Sequence, residues 1–181
     1  MRNKILHIGL GKCGSTFLQK DIFPLIEKNT NIKLIQAHDI KDIKLNSYEH
    51  ILKNITGLEK KLPHNFIFSN EGLFSNGWEF SRVVESFELV KKNFSHDTKI
   101  LIVIRNPYDL LNSIYVQTIM RMDIIESEKF FYIEKNKIFL KDGKYNLYNF
   151  EYNFLINLYK SYFKKVVVVK YENLNKLLFL K

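Results

Sequence analysis

The chain has 181 residues, enough for one domain with a sizeable core and too few for two well-packed ones. Apolar residues at 46% and charged residues at 26% exclude wholesale disorder, and seven Gly with three Pro exclude collagen-like and low-complexity classes. The single cysteine, Cys13, excludes an internal disulfide and a Cys-rich zinc module, while the net charge of +9 favours an anionic ligand without choosing one.

Residues 4–10 form a short apolar run that gives way to glycines and predict a buried first strand. A loop punctuated by Gly9, Gly11 and Gly14 follows. Phe17, Leu18, Ile22, Leu25 and Ile26 then recur at helical spacing over 15–27, with Pro24 placed to end or kink that helix. Residues 32–37 predict a second strand. Ile51, Ile55, Leu58 and Leu62 share one face of a predicted helix over 47–61, with Ser47 as a possible N-cap. A third strand is expected at 66–69 and a helix at 79–93. The run Lys-Ile-Leu-Ile-Val-Ile at 99–104 is the strongest central-strand signal. Asn106-Pro107 then opens a helix to about residue 122, because proline has no needed N–H in a first turn. A helix over 145–162 and a strand over 165–170 complete the pattern. Strands alternating with helices at this spacing predict an α/β fold with an open, mostly parallel sheet flanked by helices. Residues 123–144, rich in Lys and aromatic side chains, are the least regular and are read as an insertion over the active face.

No segment approaches the ~20 apolar residues of a membrane span. The opening residues lack the cleavage site of a signal peptide, so a cytoplasmic protein is expected. The oligomeric state is left open.

The stretch from Gly9 to Thr16 joins a buried strand to a helix, which makes an anion site of the loop amides and the helix start. Gly9, Gly11 and Gly14 satisfy the glycine pattern of a Rossmann-type dinucleotide fold, with Asp39 as a passable ribose partner. A P-loop kinase pattern fails as written, because Gly14-Ser15 stand where Gly-Lys is required and the lysine sits at Lys12. A Cys-based phosphatase would want an arginine closing the loop, where Gln19 stands.

A second constellation follows the 99–104 strand. Arg105 stands at its carboxyl end, where open α/β sheets bind ligands, and its fork suits a phosphate monoester. Ser113 lies about two turns into the next helix. Pairing of Arg105 with Asp109 is the bland alternative.

Lys12 followed by Gly14-Ser15-Thr16, together with Arg105-Asn106-Pro107 and Ser113 eight residues after the arginine, resembles the sulfotransferase family, which uses 3′-phosphoadenosine 5′-phosphosulfate (PAPS). Tyr171-Glu172-Asn173-Leu174 after the last strand is a weaker match, read as structural. The resemblance implies a P-loop-NTPase-like fold and sulfuryl transfer from PAPS to a hydroxyl or amine, with no metal. It implies that Gly11, Lys12, Cys13, Gly14, Ser15, Thr16 and Phe17 hold the 5′-phosphosulfate end, and Arg105 and Ser113 the 3′-phosphate. Lys12 would also stabilise the leaving oxygen. Leu110 departs from the pattern, since many members carry a basic residue there. Family members continue past the Tyr-Glu run into a basic closing segment, so residues 1–181 are expected to be a single sulfotransferase-like domain lacking it. The alternative is a non-catalytic nucleotide-binding remnant.

Glu71, at the end of the third strand, is the expected base, with His38 as runner-up. His7 reads as a core histidine. Eight aromatic residues between Phe130 and Tyr152, interleaved with Lys135, Lys137, Lys141 and Lys144, favour a carbohydrate acceptor. No nucleic-acid-binding module is present, so nucleic acid is not an expected partner.

Overall fold

The computed structural model describes residues 2–36, 39, 57–73, 83–121, 126, 131–134, 137–140 and 151–179. Strand β1 spans Lys4–Ile8, β2 Lys33–Gln36, β3 Phe66–Asn70, β4 Lys99–Ile104 and β7 Lys165–Lys170. They form one parallel sheet in the order β2-β3-β1-β4-β7. Strands β1 and β4 pair in parallel, with Ile5 beside Lys99 and Ile8 beside Ile102. The strands run as near-continuous apolar stretches because helices cover the sheet. Leu6, Ile8, Phe66, Ile67, Phe68, Ile100, Ile102 and Val103 are all buried.

This order decides against the dinucleotide fold. A Rossmann sheet sets its second strand beside its first. Here β3 lies beside β1, β2 is an edge, and Asp39 caps the end of β2 by accepting from the Gln36 N–H at 2.7 Å.

The segment after the loop is one helical run in three parts: α1 at Ser15–Phe17, a π turn at Leu18–Ile22 and α2 at Phe23–Asn29. The π turn explains why Pro24 does not end it. The Phe23 N–H reaches back to the Leu18 carbonyl, so the ladder is already widened where proline lacks its donor. Helix α3 (Leu58–Lys61) is what the described residues contain of the helix expected over 47–61; the rest of that expectation lies outside them. Helices α4 (Val83–Asn93), α5 (Pro107–Arg121) and α6 (Tyr152–Lys160) match expectation in place, although 79–82 and 145–150 lie outside the described residues. Helix α4 buries Val83, Phe87 and Val90, and Tyr159 of α6 meets Phe87 edge-on at 5.2 Å and stacks on Phe163 at 6.0 Å. Each such ring removed from water contributes about 1.5–3 kcal/mol.

Within the stretch read as irregular, β5 (Phe131–Glu134) and β6 (Lys137–Leu140) form an antiparallel pair that opposes Glu134 to Lys137. These four-residue strands bond to each other and not to the main sheet, which is why no alternation with helices announced them.

At the amino ends of the strands, Glu59 ties three elements together. Its carboxylate accepts from the Lys4 ammonium, the Ser95 N–H and hydroxyl, and the Thr98 hydroxyl. Burial alone would raise its pKa, but these donors hold it below the usual carboxylate range. The carboxyl ends, at the opposite side, are left for the site. Among the described residues no helix is long and apolar enough to cross a membrane.

Candidate active site

Strand β1 ends at Ile8, and the chain turns sharply before α1. The Cys13 N–H closes the turn on the Leu10 carbonyl at 3.2 Å, and Lys12 (φ 61°) and Gly14 (φ 83°) are both left-handed. Lys12 is a strained exception for a residue with a side chain. Gly9 and Gly14 are glycines for steric reasons. A Cβ on Gly9 would lie 2.6 Å from the Ser15 hydroxyl and 3.0 Å from the Glu71 Cα. One on Gly14 would lie 2.6 Å from Leu174 and 3.1 Å from the Tyr171 ring.

These close approaches bring the expected residues together. Glu71, exposed in a 3-10 turn (Glu71–Leu73) after β3, sits against the start of the loop. Ser15 is buried, and its hydroxyl has no partner among the described residues. Gly11, Lys12 and Phe17 are half-buried and Thr16 is exposed. Burial pushes the Cys13 thiol up to about 12, so it is no thiolate nucleophile.

Arg105 follows β4, the neighbour of β1, and so reaches the same loop. Its Nη1 donates to the Lys12 carbonyl at 3.0 Å, and its guanidinium lies 4.4 Å from the centre of the Tyr171 ring. Its Nε is buried without a partner among the described residues. The bland pairing with Asp109 does not form. Ser113 is half-buried on the second turn of α5.

The Tyr171–Glu172 pair opens a 3-10 segment (Tyr171–Phe179) that follows β7. Glu172 accepts from the Asn106 N–H at 3.1 Å, which holds its carboxyl below the usual range. Tyr152 of α6 donates to the Arg105 carbonyl at 2.7 Å, and burial raises its pKa above the usual tyrosine value. Sequence reasoning missed these contacts and assigned the Tyr-Glu run a structural role only. Its position at the carboxyl end of a parallel strand was the available signal, since all such ends open on one side. Gly14, Thr16, Phe17, Lys20, Tyr171 and Glu172 line a cavity of about 500 Å³ there.

His7 lies in β1 beneath the loop. Its Nδ1 is 2.8 Å from the Ser69 hydroxyl of β3, which also accepts from the Gln19 amide of the π turn at 2.9 Å. Burial lowers the imidazole to about 4, so it is a neutral core histidine, as expected. His38 lies outside the described residues.

A family model described as a sulfotransferase domain matches residues 2–181. No curated protein matches the chain. Because that match runs over essentially the whole sequence, and the parallel sheet carries its loop and strand-end arginine to one side, the chain belongs to the sulfotransferase family.

Proposed function

We propose that this protein transfers a sulfuryl group from PAPS to a hydroxyl or amine, with a carbohydrate as the acceptor. The observation that carries the donor assignment is the convergence of Lys12 and Arg105, with two buried polar atoms, Ser15 Oγ and Arg105 Nε, left unmet by described protein groups. Buried donors are rarely left so, and an anion bearing phosphates at both ends supplies acceptors to both.

In this reading Gly11, Cys13, Gly14, Ser15 and Thr16 cradle the 5′ end. Arg105 and Ser113 take the 3′-phosphate. Phe17 and Tyr171 offer flat walls to a purine. Glu71 takes the proton from the acceptor as its oxygen or nitrogen bonds to sulfur. The sulfur–oxygen bond to the nucleotide breaks, its electron pair goes to the phosphate, and Lys12 offsets the charge growing there. The carbohydrate assignment rests on the aromatic and lysine residues of 130–152, within which the β5–β6 hairpin lies.

Calorimetry tests the donor. Adenosine 3′,5′-bisphosphate should bind at least about tenfold more tightly than adenosine 5′-phosphate, NAD or ATP, as one charge-assisted contact worth about 1.5–3 kcal/mol requires. Equal affinities would overturn it.

A further inference from the structure

Arg105 is held from four directions. Its carbonyl accepts from Tyr152, and the next N–H, on Asn106, is taken by Glu172. Its Nη1 is spent on the Lys12 carbonyl. Its guanidinium carbon lies over the Tyr171 ring, 4.4 Å from the ring centre. Tyr171 is itself fixed, because its ring packs against Gly14, where even a methyl group would crowd it at 3.1 Å. The ring therefore bridges the loop turn and the arginine, while 37% exposure leaves it open to the cavity.

We propose that Tyr171 is a positioning residue that aims the Arg105 fork and so sets the selectivity of the site for a phosphate monoester. The inference rests on the donor reading above and deepens it. An arginine side chain has several rotatable bonds, and one hydrogen bond to Lys12 leaves the guanidinium free to swing about that contact. A ring against the guanidinium restricts that freedom, since the cation is attracted to the π cloud of a side chain that is itself packed in place. The Nε, unpartnered among the described residues, remains a donor that a phosphate oxygen would satisfy. Selectivity follows from the aim of the fork, whereas simple contact between Tyr171 and the nucleotide would strengthen every nucleotide alike.

The experiment measures a ratio. The affinity for adenosine 3′,5′-bisphosphate is divided by that for adenosine 5′-phosphate, in wild type, Tyr171→Phe, Tyr171→Leu, and proteins carrying phenylalanine analogues with one to three ring fluorines at position 171. The ratio should survive in Tyr171→Phe, fall by about three- to tenfold in Tyr171→Leu, and decline stepwise with fluorine, which weakens the π cloud at nearly constant shape. The fluorinated series keeps the test alive if Tyr171→Leu does not fold. A flat series, with both affinities falling together, would reduce Tyr171 to a cavity wall and overturn the proposal. A second readout is independent of the donor: the Arg105 Nε–H resonance of the free protein should be resolved and shifted by the ring in wild type and Tyr171→Phe. Its absence in both would also overturn the positioning role. Wild-type protein that does not distinguish the two nucleotides would sink the donor reading, and the resonance would then decide the positioning role alone.

Discussion

The Arg105 guanidinium donates to the Lys12 carbonyl across 3.0 Å and so couples two motifs 93 residues apart. The left-handed Lys12 peptide is held by the same side chain that is assigned to the 3′-phosphate. Arg105→Ala should therefore weaken adenosine 3′,5′-bisphosphate by about one to two decades, the equivalent of a charge-assisted contact of about 1.5–3 kcal/mol. Arg105→Lys should not restore it, because an ammonium cannot serve carbonyl, ring and phosphate in one plane. Calorimetry on the two variants checks this, and full rescue by lysine would discount the fork.

Lys12→Ala should act on turnover more than on binding. In the proposed transfer the lysine meets charge that develops only as the nucleotide leaves, so kcat should drop by about 10²–10³. The affinity for the product nucleotide should change by less than about fivefold on the same grounds. The backbone strain at φ 61° is shared by lysine and alanine and cancels in the comparison. Wild-type turnover in the variant would remove Lys12 from the chemistry.

Glu71→Gln keeps the shape of the side chain beside Gly9 and removes its basicity. A general base contributes about 10²–10⁴ in rate, and kcat should fall within that range while nucleotide affinity is unchanged. A variant with unaltered kcat would move the base elsewhere.

Gly14→Ala should destabilise the fold as well as the site. The residue sits at φ 83°, which costs a side chain about 1–2 kcal/mol. Its methyl would also lie 2.6 Å from Leu174 Cδ1, an overpacking worth about another 1–3 kcal/mol. The melting temperature should fall by several degrees, at about 2–4 °C per kcal/mol for a chain of this size. An unshifted melt would mean that the 3-10 segment after β7 yields freely.

His7 predicts an acid-sensitive core. Folded protein takes up its proton only near pH 4, whereas the unfolded chain does so near 6.5. Its contribution is therefore complete above pH 6.5 and is lost as pH falls toward 4, amounting to about 3 kcal/mol at its full extent. His7→Gln can still bond Ser69 but cannot titrate. Urea midpoints followed from about pH 7 to about pH 4.5 should fall less steeply in the variant. Glu59 titrates in both proteins and cancels. Equal slopes would show that His7 titrates in the fold as it does in the unfolded chain.

The sequence by itself determined the five strands of the main sheet and the helices between them in chain order, the glycine-rich turn at Lys12, and the strand-end position of Arg105. Each is local: an apolar run of four to six residues, a glycine cluster, or a proline in a first turn is read within a few neighbours. It also contained both stretches that resemble the sulfotransferase phosphate motifs, because their spacing is counted along the chain. What only the tertiary structure decided is which elements lie side by side. The placement of β3, and not β2, next to β1 separates this sheet from a dinucleotide fold that shares the same glycines. The turning of Tyr171 and Glu172 onto Arg105 and Asn106 joins residues 66 positions apart, through parallel strands whose carboxyl ends open together. The widened turn at Leu18–Ile22 absorbs Pro24, where a proline inside a helical pattern predicts an end or a kink. Long-range pairing leaves no periodic trace in either partner, since each side chain at a strand end is chosen for a neighbour that only the closed sheet supplies.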